Sequence, residues 1–276
     1  MSPGEHSPSQ LASRAPLATR PCGASLGLRA LVVLALPVWS ICVGPLAHAG
    51  EVERAASPTR VRVSAGVDYS QGQFGGEDDI RILYVPLSIR IDRGRFGAKV
   101  TVPHLRVTGR GPRERSSGLG DITATATYEL IAPDDGQLGI TLKGKVKLPT
   151  SDRSLRFGTG ETDYTAEIEA RQRKGPWVYF LSAGYRLVGE ASGQELEDRR
   201  LLSGGVSYRL SSSLAAGLLY ELREASRRRQ DSSQELVPFV SAQVAPRLRL
   251  TSYLTIGLTD ASPDLGLGMS LTYLYR

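Results

Sequence analysis

Lysine stands at positions 143, 145 and 147, and Glu167, Glu169 and Arg171 repeat the same every-second spacing after a polar interval. The runs are "LKGKVKL" and "AEIEAR", separated by "PTSDRSLRFGTGETD" and the Tyr-Thr that follows it. Successive side chains of an extended strand point to opposite sides, so each run gathers its charges on one face. Leu142, Val146 and Leu148, then Ala166, Ile168 and Ala170, fill the other face. Such a ladder breaks no bonds; it holds water and ions and sorts them by charge. Closure of the interval symmetrically about Arg156 places Lys145 opposite Glu167 and Lys143 opposite Glu169. Parity allows that register to shift only by even steps. Opposed charges of this kind contribute on the order of 0.2 to 1 kcal/mol each.

A strand pair with one charged and one apolar face has two homes. In a soluble sandwich the apolar face meets a core. In a membrane barrel it meets lipid, and the charged face lines the lumen. The start of the chain favours the second. Arg14, Arg20 and Arg29 precede an apolar run from Ala30 to Val43, and "PLAHAG" supplies Ala47 and Ala49 as the small residues of a cleavage site. Residues 1–49 are therefore expected to be a cleaved export signal, residues 50–60 a periplasmic N-terminal segment, and residues 61–276 the folded domain. The apolar run falls short of the about 20 residues that a spanning helix requires. Both cysteines, Cys22 and Cys42, fall in the leader, so the exported part is expected to hold no disulfide and no thiolate metal site.

Alternation recurs along the exported part. Val61, Val63, Ala65, Val67 and Tyr69 oppose Arg62, Ser64, Gly66 and Asp68; Ile122, Ala124, Ala126 and Tyr128 oppose Thr123, Thr125 and Thr127. The final run sets Leu265, Leu267, Met269, Leu271, Tyr273 and Tyr275 against Gly266, Gly268, Ser270 and Thr272. Helical spacing is absent. The breaks alternate in size: short ones lie near 92–95, 133–137, 174–176, 211–213 and 245–247, and longer polar ones near 71–79, 109–119, 150–162, 190–199, 226–235 and 259–264. The expected fold is all-β: an antiparallel transmembrane β-barrel of about 12 strands, with short periplasmic turns and long external loops. Closure of the sheet satisfies every backbone amide in hydrocarbon. Tyr128, Trp177, Tyr179, Tyr208, Tyr273 and Tyr275, at strand ends, are expected at the headgroup level.

The stretches "GLGDITATATYEL", "KVKLPTSDRSLRFGTGETDYTAEIEA" and "DLGLGMSLTYLYR" make the chain resemble the outer-membrane proteins of the MetA-pathway of phenol degradation family. The matched positions are Gly118, Gly120, Asp121, Pro149, Thr150, Gly158, Gly160 and Asp163. The resemblance covers most of the exported part and implies an outer-membrane channel for small solutes, aromatic or otherwise hydrophobic. It attaches no catalytic role to these residues.

Other chemistries fit the residues less well. "FGTGETD" lacks the lysine and following helix of a phosphate-binding loop. The formal charge of +6 is spread along strands with acidic neighbours, and only "RRRQ" at 227–230 clusters. No nucleic-acid partner is expected; those arginines, in an external loop, suit lipopolysaccharide phosphates or water. An enzyme is the rival class, since some outer-membrane barrels hydrolyse lipids or peptides. The exported part has one histidine, His104, beside Pro103, and no asparagine, which rules out a serine, histidine, asparagine triad. No metal, cofactor or catalytic residue is assigned. The expected partners are outer-membrane lipids, the barrel assembly machinery and a small solute. A barrel that anchors the envelope without transport shares the same alternation, and an open lumen reads like a plugged one.

Overall fold

The computed structural model describes residues 58–76, 78–109, 115–133, 136–152, 155, 157, 159–189, 196–227 and 230–275. The expected export signal, nearly all of the segment 50–60, Gly158 and two arginines of "RRRQ" lie outside the described residues.

Thirteen strands follow one another: β1 (Arg60–Gly72), β2 (Ile80–Arg93), β3 (Phe96–Gly109), β4 (Arg115–Leu119), β5 (Ile122–Ile131), β6 (Leu138–Leu148), β7 (Asp163–Lys174), β8 (Trp177–Leu187), β9 (Arg199–Arg209), β10 (Leu214–Arg223), β11 (Ser233–Ala245), β12 (Leu248–Gly257) and β13 (Leu265–Leu274). Each pairs antiparallel with its neighbour, and β1 pairs with both β2 and β13, so the sheet closes. The closed wall has 12 strands. β4 stands apart from that count: among the described residues it pairs only with the outer half of β3, while β5 takes the inner half.

Alternation decides which side chain meets which solvent. Leu87, Ile89, Leu181 and Leu267 on the outside are each about half exposed, at 53%, 50%, 55% and 58%, because their neighbour is lipid and no protein covers them. Their sequence neighbours Ser88, Arg90 and Ser182 point inward. Aromatic residues ring both ends of this apolar belt. At the short-turn end Phe96 packs on Tyr128 with ring centroids 4.9 Å apart, and Trp177 meets Tyr208 at 4.7 Å. At the long-loop end Tyr69, Tyr164 and Tyr185 are exposed. Amphipathic rings of this kind sit where hydrocarbon gives way to headgroups.

Two expectations from the sequence need correction. The loop placed at 109–119 includes strand β4. Its "RSSGL" has no clear apolar alternation, because β4 adds to the wall beyond the point where β5 has left it. The register of the lysine hairpin is also two residues off: Lys143 pairs with Glu167, Lys145 with Thr165 and Lys147 with Asp163. Leu155 and Phe157 of the interval pack inside the barrel, so its midpoint does not set the pairing.

Prolines interrupt the ladder. Pro86 and Pro103 face each other across β2 and β3, and each lacks the N–H its other neighbour would accept. The β1–β2 pairing accordingly skips from Ala65–Leu87 to Asp68–Tyr84. Beside Pro103 the partner of β3 changes from β5 to β4, with the Gly120 N–H donating to the Pro103 carbonyl at 2.9 Å. His104 lies at this irregularity on the outward face, with Nε2 3.5 Å from Ser117 Oγ.

Candidate functional site

The interior at the long-loop end is built from the break between β4 and β5 and from the segment 149–162. Where β4 turns away from β6, the Ile122 N–H and the Gly120 carbonyl lose their ladder partners. Thr150 supplies both: its Oγ1 accepts from Ile122 N at 2.8 Å and donates to Gly120 O at 3.3 Å. Asp121 Oδ1 accepts the Ser151 N–H at 3.0 Å, pinning the start of the segment beside the break. Pro149, just after β6, cannot extend the ladder.

Past that clasp the segment enters the barrel. Phe157 is 1% exposed and packs with Phe74, Ile80, Ile82, Tyr84, Leu105 and Val107; Leu155 lies against the same cluster. Apart from Phe74, in the connection between β1 and β2, these are inward residues of β2 and β3, so one side of the outer lumen is apolar. Close approach there requires the absence of a side chain at Gly118 on β4 and at Gly120 just after it. A Cβ at Gly118 would collide with Leu155 Cδ1, and one at Gly120 with Leu105 Cδ1. Gly160 holds φ +75°, a left-handed conformation that carries the segment back toward β7.

The polar side of the lumen begins at Lys147. Its Nζ lies 3.2 Å from Asp121 Oδ2 and 3.4 Å from Asp163 Oδ2, and also 3.4 Å from Thr159 Oγ1. Asp163 Oδ1 accepts the Gly189 N–H at 3.1 Å. Lys147, on the face opposite Leu148, thus ties together both ends of the inward segment and the end of β8. The ladder continues toward the short-turn end with Lys145 bonded to Glu167 at 3.2 Å and Lys143 bonded to Glu169. Arg171 comes last, with Gly139 and Phe180 as its cross-strand neighbours.

The structure therefore brings Gly118, Gly120, Asp121, Pro149, Thr150, Gly160 and Asp163 to one place, around a single inward turn of chain. Their spacing hides this, because it depends on the break beside Pro103. The sequence reading missed a second band. Phe180, Leu219, Val237, Phe239 and Tyr253 pack together on the inner face. Three of these rings each lie opposite a glycine on the next strand: Phe180 opposite Gly205, Phe239 opposite Gly217 and Tyr253 opposite Gly268. A Cβ at any of the three would strike the ring. An inward glycine on a strand is the signal that could have located the aromatics. Tyr253 also donates to Asp68 Oδ2 at 3.0 Å, bridging β12 and β1.

Buried charge continues on β8 to β11. Arg186, Arg199, Glu221, Arg223 and Glu235 are all buried and inward. Arg223 binds Glu235 and lies 3.8 Å from Glu221 Oε2. Among the described residues no group of His, Cys, Asp and Glu could hold a metal ion.

Among solved structures, the COG4313 outer membrane channel from Pseudomonas putida F1 is similar to this chain at 15% identity, covering 82% of this chain and 100% of that one, with a TM-score of 0.63. The KdgM porin, solved in complex with disordered oligogalacturonate, matches at 10% identity over 76% of this chain and 99% of its own, with a TM-score of 0.48. The translocator domain of the autotransporter NalP from Neisseria meningitidis matches at 13% identity over 81% and 90%, also with a TM-score of 0.48. A comparison with curated proteins finds no match. The first of these structures has the same fold, a closed bacterial outer-membrane barrel. The sequence model of the family described as "Putative MetA-pathway of phenol degradation" matches residues 55–275, from before β1 to the residue after β13, and the chain belongs to that family.

Proposed function

We propose that the protein is an outer-membrane channel for small solutes, and that the inward segment 149–162 narrows its outer mouth. The observation that carries this reading is Phe157, an aromatic ring held 1% exposed inside a barrel whose β6–β7 wall carries a charge ladder. A loop that anchors an apolar ring on one wall leaves the polar wall as the hydrated route. The family description supports solutes of the phenolic, small aromatic kind. Ile82, Tyr84 and Leu105 form the apolar face that Phe157 covers, and Lys143, Lys145, Lys147, Glu167, Glu169 and Arg171 are its lumen-lining counterparts on the polar wall.

The test is single-channel recording in planar bilayers, comparing the wild type with Leu155→Ala combined with Phe157→Ala. Loss of the anchor frees the segment, and conductance is expected to rise at least twofold. Liposome swelling with phenol-sized and larger solutes would give the size limit. A barrel that serves the envelope without transport is the second reading, favoured by the complete burial of Val237 and Ser241 inside the barrel, both at 0% exposure. Absence of conductance in both proteins, with both correctly folded, would establish it.

A further inference from the structure

We propose that the inner wall at the outer end of β8 and β9 carries a binding site for a small monoanionic carboxylate, held by Arg199 and Arg186. The two residues are direct cross-strand partners, so their guanidinium groups leave the wall side by side. Each is 6% exposed. Arg186 Nε donates to Thr165 Oγ1 at 3.2 Å, which fixes the plane of its fork. Arg199 has no such tether: its Nε and Nη2 are buried and find no hydrogen-bond acceptor. Buried polar groups are almost always satisfied, and an uncompensated cation is the costliest exception. Two neighbouring guanidinium forks, one of them unfilled, form a receptor for a planar oxyanion.

The surrounding charges limit what fits. On one side Lys147 is shared by Asp121 and Asp163, and on the other Arg223 is shared by Glu221 and Glu235. With all groups ionised, each cluster carries one negative charge beyond its cation. Asp163 attracts both arginines from longer range; its Oδ1 accepts the Gly189 N–H, and its Oδ2 lies 3.4 Å from Lys147 Nζ without a hydrogen bond. Neither Arg186 nor Arg199 makes an ion pair among the described residues. The pair therefore has a positive field of its own between two negative flanks. One ligand charge is attracted; a second would be repelled from both sides. β9 begins at Arg199, so the site lies toward the long-loop end of the barrel.

The site deepens the channel reading and rests on it only for its route of access. The experiment is calorimetric titration of the detergent-refolded full chain with sodium benzoate, its neutral analogue benzyl alcohol, and the dianion terephthalate. Arg199→Gln and Arg199→Lys are compared with wild type, with Arg62→Gln at the other end of the barrel as control. Benzoate is expected to bind wild type and the control at least tenfold more tightly than Arg199→Gln, with Arg199→Lys between them. Benzyl alcohol and terephthalate are expected to bind at least tenfold more weakly than benzoate. Equal binding of benzoate by wild type and Arg199→Gln, equal binding of benzyl alcohol, or no binding by a folded wild type would overturn the site. Heat-modifiable migration reports folding; should Arg199→Gln fail to fold, the comparison of wild type with Arg199→Lys decides, and equal affinities overturn the proposal. Conductance of the same preparations separates the two ideas. A protein that conducts but ignores benzoate loses only the site, and one that binds benzoate without conducting loses only the channel.

Discussion

Lys145 Nζ bonds Glu167 Oε1 at 3.2 Å, although the backbone partner of Lys145 is Thr165 and that of Glu167 is Lys143. The ion pairs run diagonally, one step off the ladder of backbone bonds, and Lys143 reaches Glu169 in the same way. Diagonal neighbours in a twisted antiparallel pair are within reach of long side chains. Lysine reaches past Thr165 to find a carboxylate, so the charge pairing follows one register and the backbone another.

This arrangement makes the ladder a test of the lumen. Reversing Lys143 and Lys145 to glutamate sets like charges against Glu167 and Glu169, at a cost on the order of 1 kcal/mol per pair. The barrel is expected to assemble still, and the reversal potential in a salt gradient is expected to shift toward cation selectivity. Unchanged selectivity would place the conducting path elsewhere.

A methyl group added at Gly118 would lie 2.4 Å from Leu155 Cδ1, so the leucine tip must shift to admit it. Gly118→Ala is expected to dislodge the inward segment and raise conductance, with a stability loss of about 1 to 3 kcal/mol from overpacking. Adding Leu155→Ala removes the colliding atom, so the double variant is expected to recover part of that stability. A strictly additive double-mutant cycle in urea unfolding would show that the two do not touch.

Thr150→Val keeps the shape of the side chain but removes the hydroxyl that serves Ile122 N and Gly120 O. Thr150 is exposed at the rim, so water can replace part of what is lost. The expected destabilisation is about 1 kcal/mol, with Thr150→Ser close to wild type. Equal stability of the serine and valine variants would remove the hydroxyl from the account.

Outside the strands, Glu224 accepts from the Arg200 backbone N–H at 2.9 Å, and its side chain pairs with Arg200 Nη2 at 2.7 Å. The side-chain bond to Arg200, followed by the backbone bond, holds this carboxyl below its ordinary 4.5. A lowered value in the folded state means that the contribution is full above pH 4.5 and is lost as the pH falls through the lowered value. The wild type is therefore expected to lose thermal stability on acidification below pH 4.5 slightly more than Glu224→Gln does. Parallel acid profiles for the two proteins would dismiss the pair.

The fold was legible because a barrel writes itself at period two. Leu265 to Tyr275 on one face and Gly266 to Thr272 on the other separate lipid from lumen, an alternation that a soluble sandwich shares until the export signal and the alternating loop lengths are added. Loop lengths then gave the strand count of the closed wall. Parity put Lys143, Lys145 and Lys147 on the face of Glu167 and Glu169 whatever the register. The register itself depended on where the segment 149–162 goes, and that is a question of packing. Phe157 and Leu155 fit inside because Gly118 on β4 leaves room, and beside Pro103 the partner of β3 changes from β5 to β4. Residues distant in sequence decide each of those steps. The pairing of Arg186 with Arg199 likewise comes from opposite ends of a long loop. Alternation assigns a side chain to a face; only closure of the sheet decides which other side chains it meets there.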